Sequence, residues 1–154
     1  MISPLFALIP NHPGIFISLI EDENFECVDE LYEYTNSIKA TLHVKSLSDK
    51  NYNKSLHVDE FRLEQQRYNN HAVLYDFVFL CADIEKRGDM LEISNKLYRV
   101  LKNAGHVFIL TPINSTSKLT ETVEESNFVA VNTISLDSQY DIISAKKMHG
   151  WMKV

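Results

Sequence analysis

The sequence predicts an α/β domain in three layers, with helices on both faces of a mostly parallel sheet that ends in an antiparallel hairpin. Three observations carry this reading. Tyr75-Asp76-Phe77-Val78-Phe79-Leu80-Cys81 is a nearly continuous apolar run of strand length, the pattern of a strand covered on both faces. An amphipathic helical pattern follows it, and the apolar run His106-Val107-Phe108-Ile109-Leu110 follows that, so strand, helix and strand form a parallel crossover unit. Beyond Phe128, two β-rich runs flank the polar turn Ser135 to Tyr140 and read as a hairpin.

Taken in order, the apolar residues Leu5 to Ile9 read either as an edge strand reached through Pro10 to Gly14 or as a loop. Ile15 to Ile20 is the first core strand, and it runs directly into Glu21-Asp22-Glu23-Asn24. A helix over 25–38 is expected from Val28, Leu31, Tyr32, Thr35 and Ile38, which share one face at helical spacing. Ala40 to Lys45 is the second strand. The stretch Leu47 to Val58 is poorly patterned, its polar segment Asp49 to Lys54 reading as a loop. Val58 to Tyr68 alternates partly, as a half-exposed strand does.

The helix over 89–103 has Asp89 as N-cap with Glu92 three residues on, a capping-box spacing. Met90, Ile93, Leu97 and Leu101 form its apolar face, and Glu92, Lys96, Arg99 and Lys102 its polar one. Asn103-Ala104-Gly105 closes it, with Gly105 expected in the left-handed conformation. Leu119 and Val123 mark a short helix entered through Thr116 and Ser117. The hairpin strands are 128–134 and 141–147.

With 154 residues and 45% hydrophobic content, the chain suits one globular domain spanning 1–154 with a sizeable core. Its 15 basic and 21 acidic side chains leave a net charge of −6. No basic run is present to neutralise phosphates, so no nucleic-acid binding is expected. The apolar N-terminal stretch is too short for a membrane span and is broken by Pro10, Pro13 and Gly14. No membrane association and a cytoplasmic location are therefore expected. Cys27 and Cys81 are isolated in sequence and read as buried thiols rather than a disulfide framework. The six histidines show no metal-ligand spacing, and no Cys-x-x-Cys accompanies them, so no metal is expected. A Gly-x-Ser-x-Gly elbow is also absent.

The phrase Tyr75-Asp76-Phe77-Val78-Phe79, followed by Leu97-Tyr98-Arg99-Val100-Leu101-Lys102-Asn103-Ala104-Gly105-His106-Val107-Phe108-Ile109, resembles the later half of class I S-adenosylmethionine-dependent methyltransferases. There an Arg-Val-Leu-Lys-Pro-Gly-Gly phrase leads into a hydrophobic strand. The resemblance extends through Glu124-Glu125-Ser126-Asn127-Phe128 to the closing hairpin, over residues 72 to 147. It implies a Rossmann-like, methyltransferase-type sheet, here trimmed at the N-terminus.

The first half departs from that family at its cofactor site. The family binds S-adenosylmethionine over a glycine-rich turn after the first strand, where residues without a Cβ let the backbone approach the ligand. The four glycines of this chain, Gly14, Gly88, Gly105 and Gly150, are dispersed, and none follows Ile20. The family generally places an acid at the end of the second strand for the ribose hydroxyls; Lys45 and Ser46 stand there. The candidate cofactor-binding residues are thus Glu21, Asp22, Lys45 and Ser46.

The acidic cluster Glu21, Asp22 and Glu23, with Glu26, Asp29 and Glu30, reads as a solvated helix start favoured by the macrodipole. In a cleft it would repel a dinucleotide pyrophosphate, which argues against a nicotinamide enzyme. Asp83, just past a central strand, is the candidate catalytic residue, or else a turn cap. Thr111, Pro112 and Asn114 share its edge.

Three functional readings stand side by side. One is a methyltransferase-like protein that has lost S-adenosylmethionine binding and serves as a binding or scaffold subunit, with no cofactor expected. Another is an active small methyltransferase that uses S-adenosylmethionine through an atypical loop. The third is an unrelated α/β enzyme or ligand-binding domain. A homodimer or protein partner is expected to contact the C-terminal hairpin and the tail Met148-His149-Gly150-Trp151-Met152.

Overall fold

The computed structural model describes residues 2–12, 14–22, 25–46, 57–60 (backbone), 74–82 and 90–148. A 3-10 helix, Ser3–Leu8, opens the chain where an edge strand or loop was expected. Pro4 begins this tight turn, whose buried Leu5 lies with Ile2 and Ile9 in the core. The strands are β1 (Phe16–Glu21), β2 (Thr41–Ser46), β3 (His57–Glu60), β4 (Tyr75–Cys81), β5 (Leu101–Pro112), β6 (Val129–Ser135) and β7 (Tyr140–Lys146). The α-helices are α1 (Val28–Ile38), α2 (Met90–Val100) and α3 (Thr116–Glu125).

All seven strands form one sheet in the order β3-β2-β1-β4-β5-β7-β6. The first five are mutually parallel, and β7 enters antiparallel between β5 and β6. The order reverses between β1 and β4, a topological switch point of the kind that forms a crevice at the carboxyl ends of open α/β sheets.

Strict alternation divides the sheet into two cores. Ile17, Leu19, Phe77, Phe79, Phe108, Leu110 and Ile142 face the 3-10 helix and α1. Ile20, Val78, Leu80, Val107, Ile109 and Ile143 face α2 and α3. Because β4 is buried on both sides, its sequence is apolar almost throughout.

One boundary differs from the expected pattern. Strand β5 starts at Leu101, five residues before the apolar run at His106. Its register against β4 jumps from Tyr75↔Leu101 to Phe77↔His106, so the extra residues bulge out. Ala104, not Gly105, takes the positive φ, at 66°. Gly105 serves a different purpose: a Cβ there would lie 2.9 Å from the Lys102 carbonyl oxygen and 3.1 Å from that of Tyr75. The glycine is required by close packing of backbone on backbone rather than by a left-handed turn. Asp89, the loop Asp49 to Lys54, most of the stretch Val58 to Tyr68, and Trp151 and Met152 lie outside the described residues.

Candidate functional site

The crevice site is built at the carboxyl end of β1. Glu21 belongs to the strand and alternates with Ile17 and Leu19, so its side chain points to the α1 face. It is wholly buried, and Asp22 is only 2% exposed. This corrects the expected solvated helix start at these two positions. The cause is the strand phase, which carries Glu21 inward before the helix begins. Its Oε2 accepts a hydrogen bond from the Cys27 backbone N–H at 3.1 Å. Cys27 is the N-cap of α1 and makes no capping bond with its own side chain. A strand residue therefore supplies an oxygen to the start of the next helix, where unsatisfied N–H groups and the helix dipole favour one.

Among the described residues after β1, backbone hydrogen bonds tie the chain back to β4 and to itself. The Asp22 N–H donates to the Cys81 carbonyl oxygen at 3.4 Å, and the Phe25 N–H donates to the Asp22 carbonyl oxygen at 3.3 Å. Phe25 is 7% exposed, and its ring meets Tyr140 edge-on at 5.7 Å. Tyr140 opens β7, three strand positions from β1, or about 14 Å at the usual strand spacing. The aromatic pair thus reaches across the carboxyl ends of β4 and β5 on the α1 face.

Lys45 occupies the expected position near the end of β2, but its Nζ lies 5.3 Å from the centre of the Tyr75 ring. Tyr75 begins β4, so the lysine side chain is directed back along the sheet. Lys45 pairs with Ile20 in register and so projects on the opposite face from Glu21. Tyr75 also shares a hydrogen bond with His43 Nδ1 at 2.9 Å. Lys45 and Glu21 are therefore not brought together. Ser46 ends β2 beside Glu21 in register. Asp83 and Glu23 lie outside the described residues.

Beyond β5, Thr111 is buried, and its hydroxyl donates to the Pro112 carbonyl oxygen at 3.2 Å. The Thr116 hydroxyl donates to Asp141 Oδ2 at 2.8 Å, tying α3 to β7. Among the described residues, no group of three or more His, Cys, Asp or Glu is gathered in a way that would hold a metal ion. No helix among them is long and apolar enough to cross a membrane.

The two cysteines share one core beneath this site. Cys81 ends β4 opposite Glu21, and Cys27 lies in the same buried core. The neighbouring Cys27, followed by burial and the nearby Glu21 and Glu30, pushes the Cys81 thiol well above its ordinary pKa. Sequence spacing gives no sign of this placing. The inward phase of Glu21 follows from alternation only once β1 is seen to run past Ile20, and the Phe25–Tyr140 contact and the placing of the two cysteines depend on the strand order.

No protein-family model matches the chain, and a comparison with curated proteins also finds no match. Solved structures do match. A TehB-like S-adenosylmethionine-dependent methyltransferase from Corynebacterium glutamicum superposes with a TM-score of 0.69 at 12% identity, over 93% of this chain and 84% of that one. An S-adenosylmethionine-dependent methyltransferase from Aquifex aeolicus gives 0.68 at 11% identity, over 94% and 88%. Another from Mesorhizobium loti gives 0.67 at 11% identity, over 94% and 96%. With the sheet order and closing hairpin described above, these superpositions show that the chain has the fold of class I S-adenosylmethionine-dependent methyltransferases over nearly its whole length.

Proposed function

We propose that this methyltransferase-fold protein no longer binds S-adenosylmethionine and acts as a binding or scaffold subunit. The observation that carries the reading is the side-chain packing of the described residues beside the carboxyl end of β1. Phe25 packs on Tyr140 where the fold's crevice opens, and Glu21 is committed to the Cys27 amide. The residues following Glu21 all carry a Cβ, so the backbone cannot approach a ligand as a glycine turn does. The ribose position offers Lys45, which is turned toward Tyr75. Fold alone does not transmit activity.

Calorimetric titration of the full chain with S-adenosylmethionine and with S-adenosylhomocysteine tests the proposal. No heat of binding is expected at micromolar ligand. A dissociation constant in the low micromolar range, typical of substrate-level affinity, would promote the active-enzyme reading, with Asp83→Ala and Glu21→Ala as the first variants to measure. A subunit role also calls for a contact surface, which we place at the C-terminal hairpin and tail. Sedimentation of the full chain beside one truncated after Lys147 is expected to show an assembly that the truncation weakens. A monomer in both, with no partner recovered by pull-down, removes that surface from the proposal.

A further inference from the structure

The two ends of the sheet are built differently. At one end β3 carries Asp59 and Glu60, whereas at the other no residue from Asn127 to Leu136, the stretch holding β6, is charged, and none is Gly or Pro. Charges and prolines keep a free strand edge from pairing, and β6 lacks both. None of its seven residues is buried, and Val129 is 38% exposed. Among the described residues, no strand lies beyond it.

The backbone direction along this edge follows from the turn. The Leu136 N–H donates to the Tyr140 carbonyl oxygen at 3.3 Å, which turns Leu136 toward β7. Successive residues of an antiparallel strand alternate, so Ile134 and Asn132 also face β7, whereas Thr133 and Ser135 turn their N–H and C=O groups outward. The far side of the hairpin agrees in phase. There the Lys147 N–H donates to the Gly105 carbonyl oxygen, so the odd-numbered residues of β7 face β5 and the even-numbered ones face β6. The open edge ends at the bulge between Val129 and Asn132, where Ala130 has a φ of 51°.

We propose that two copies of the chain join along β6, antiparallel about a two-fold axis at Ile134. Thr133 of each copy then exchanges backbone hydrogen bonds with Ser135 of the other, and Ile134 meets its own copy beside the α1-side core on which it packs. Two features make the occupant a second copy. The strip is its own complement about a two-fold axis, and it is neutral, so two chains of net charge −6 meet where neither carries charge. The charged β3 edge blunts head-to-tail continuation, and the assembly closes as a dimer. The inference rests on the hairpin contact of the subunit reading and specifies it; it does not rest on the loss of S-adenosylmethionine binding.

Thr133→Pro tests the pairing. It removes an outward N–H and no bond to β7, a place where an edge strand accepts proline, so the urea midpoint of the dilute monomer should stay close to that of wild type. Thr133→Lys puts a charge on the edge and keeps the N–H; should the proline variant fail to fold, the lysine variant decides. Sedimentation equilibrium of the full chain, from micromolar to submillimolar concentration, is expected to show monomer and dimer, with the dissociation constant raised about tenfold or more in each variant. Amide exchange at Ser135 should slow as wild-type concentration rises and stay fast in both variants. A wild-type monomer at every concentration, a dimer equally tight in both variants, or polymers that grow without limit would overturn the proposal. A dimer lost on truncation after Lys147 but unchanged in both variants would keep the subunit reading and remove this one. Binding of S-adenosylmethionine by a chain whose dimer weakens in both variants would do the opposite.

Discussion

Glu21 is the residue at which a sequence rule and the structure part company. A run of acids ahead of a helix ordinarily lies in solvent, but period-2 alternation from Ile17 and Leu19 sends this carboxyl group inward. Its hydrogen bond to the Cys27 N–H is buried, and losing the acceptor there strands a donor. Glu21→Ala is expected to cost about 1–3 kcal/mol in urea unfolding, with Glu21→Gln costing less because it keeps an acceptor oxygen. Identical midpoints for wild type and Glu21→Ala would show that the bond contributes nothing.

His106 supplies a pH handle at the same scale. It stacks on Phe77 at 5.6 Å and pairs with Lys146 across the β5–β7 ladder. Burial, followed by the Lys146 charge, lowers its pKa. The folded imidazole therefore resists a proton that the unfolded one accepts near the ordinary value of about 6.5. Its stabilising contribution is complete above that pH and is lost as pH falls from there through the lower folded value. Urea midpoints measured from about pH 7 to pH 5 should fall less steeply in His106→Gln than in wild type. Parallel slopes would refute the assignment.

At the scale of elements, periodicity made most strands and helices legible, because alternation and helical spacing reflect which face is buried. It failed where packing rather than pattern sets the geometry. Residues Leu101 to Gly105 continue a helical phrase by sequence, but the β4 pairing draws them into a bulged strand. At the N-terminus, the apolar residues Leu5 and Ile9 fit a strand equally well until Pro4 and docking beside α1 select a 3-10 turn. The Ile2 N–H fixes that docking by donating to Glu30 Oε1 at 2.6 Å. The bulge yields a sharp expectation: in Gly105→Ala the new Cβ meets two backbone carbonyls that cannot rotate away. A loss of about 1–3 kcal/mol, the usual cost of overpacking, should appear in urea unfolding. A neutral result would mean that the bulge relaxes freely.

For the whole molecule, the decisive feature is that two cores share one sheet. Fold class was readable from the continuously apolar β4, whereas the aromatic contact at the carboxyl edge was not, since Phe25 meets Tyr140 only after seven strands have taken their order. Along β4, Phe79 points into the α1-side core and Leu80 into the α2–α3 side, both essentially buried. If the layers cohere through that strand, a cavity on either side must destabilise both. Phe79→Ala is expected to cost about 3–5 kcal/mol and Leu80→Ala about 2–5 kcal/mol. Either is a large share of the roughly 5–15 kcal/mol that holds a typical domain folded. Near- and far-ultraviolet circular dichroism should report one coincident urea transition in each variant. Separate transitions in Phe79→Ala, with the α2–α3 layer persisting after the α1 layer has melted, would show instead that the two cores fold as independent units joined by a shared sheet.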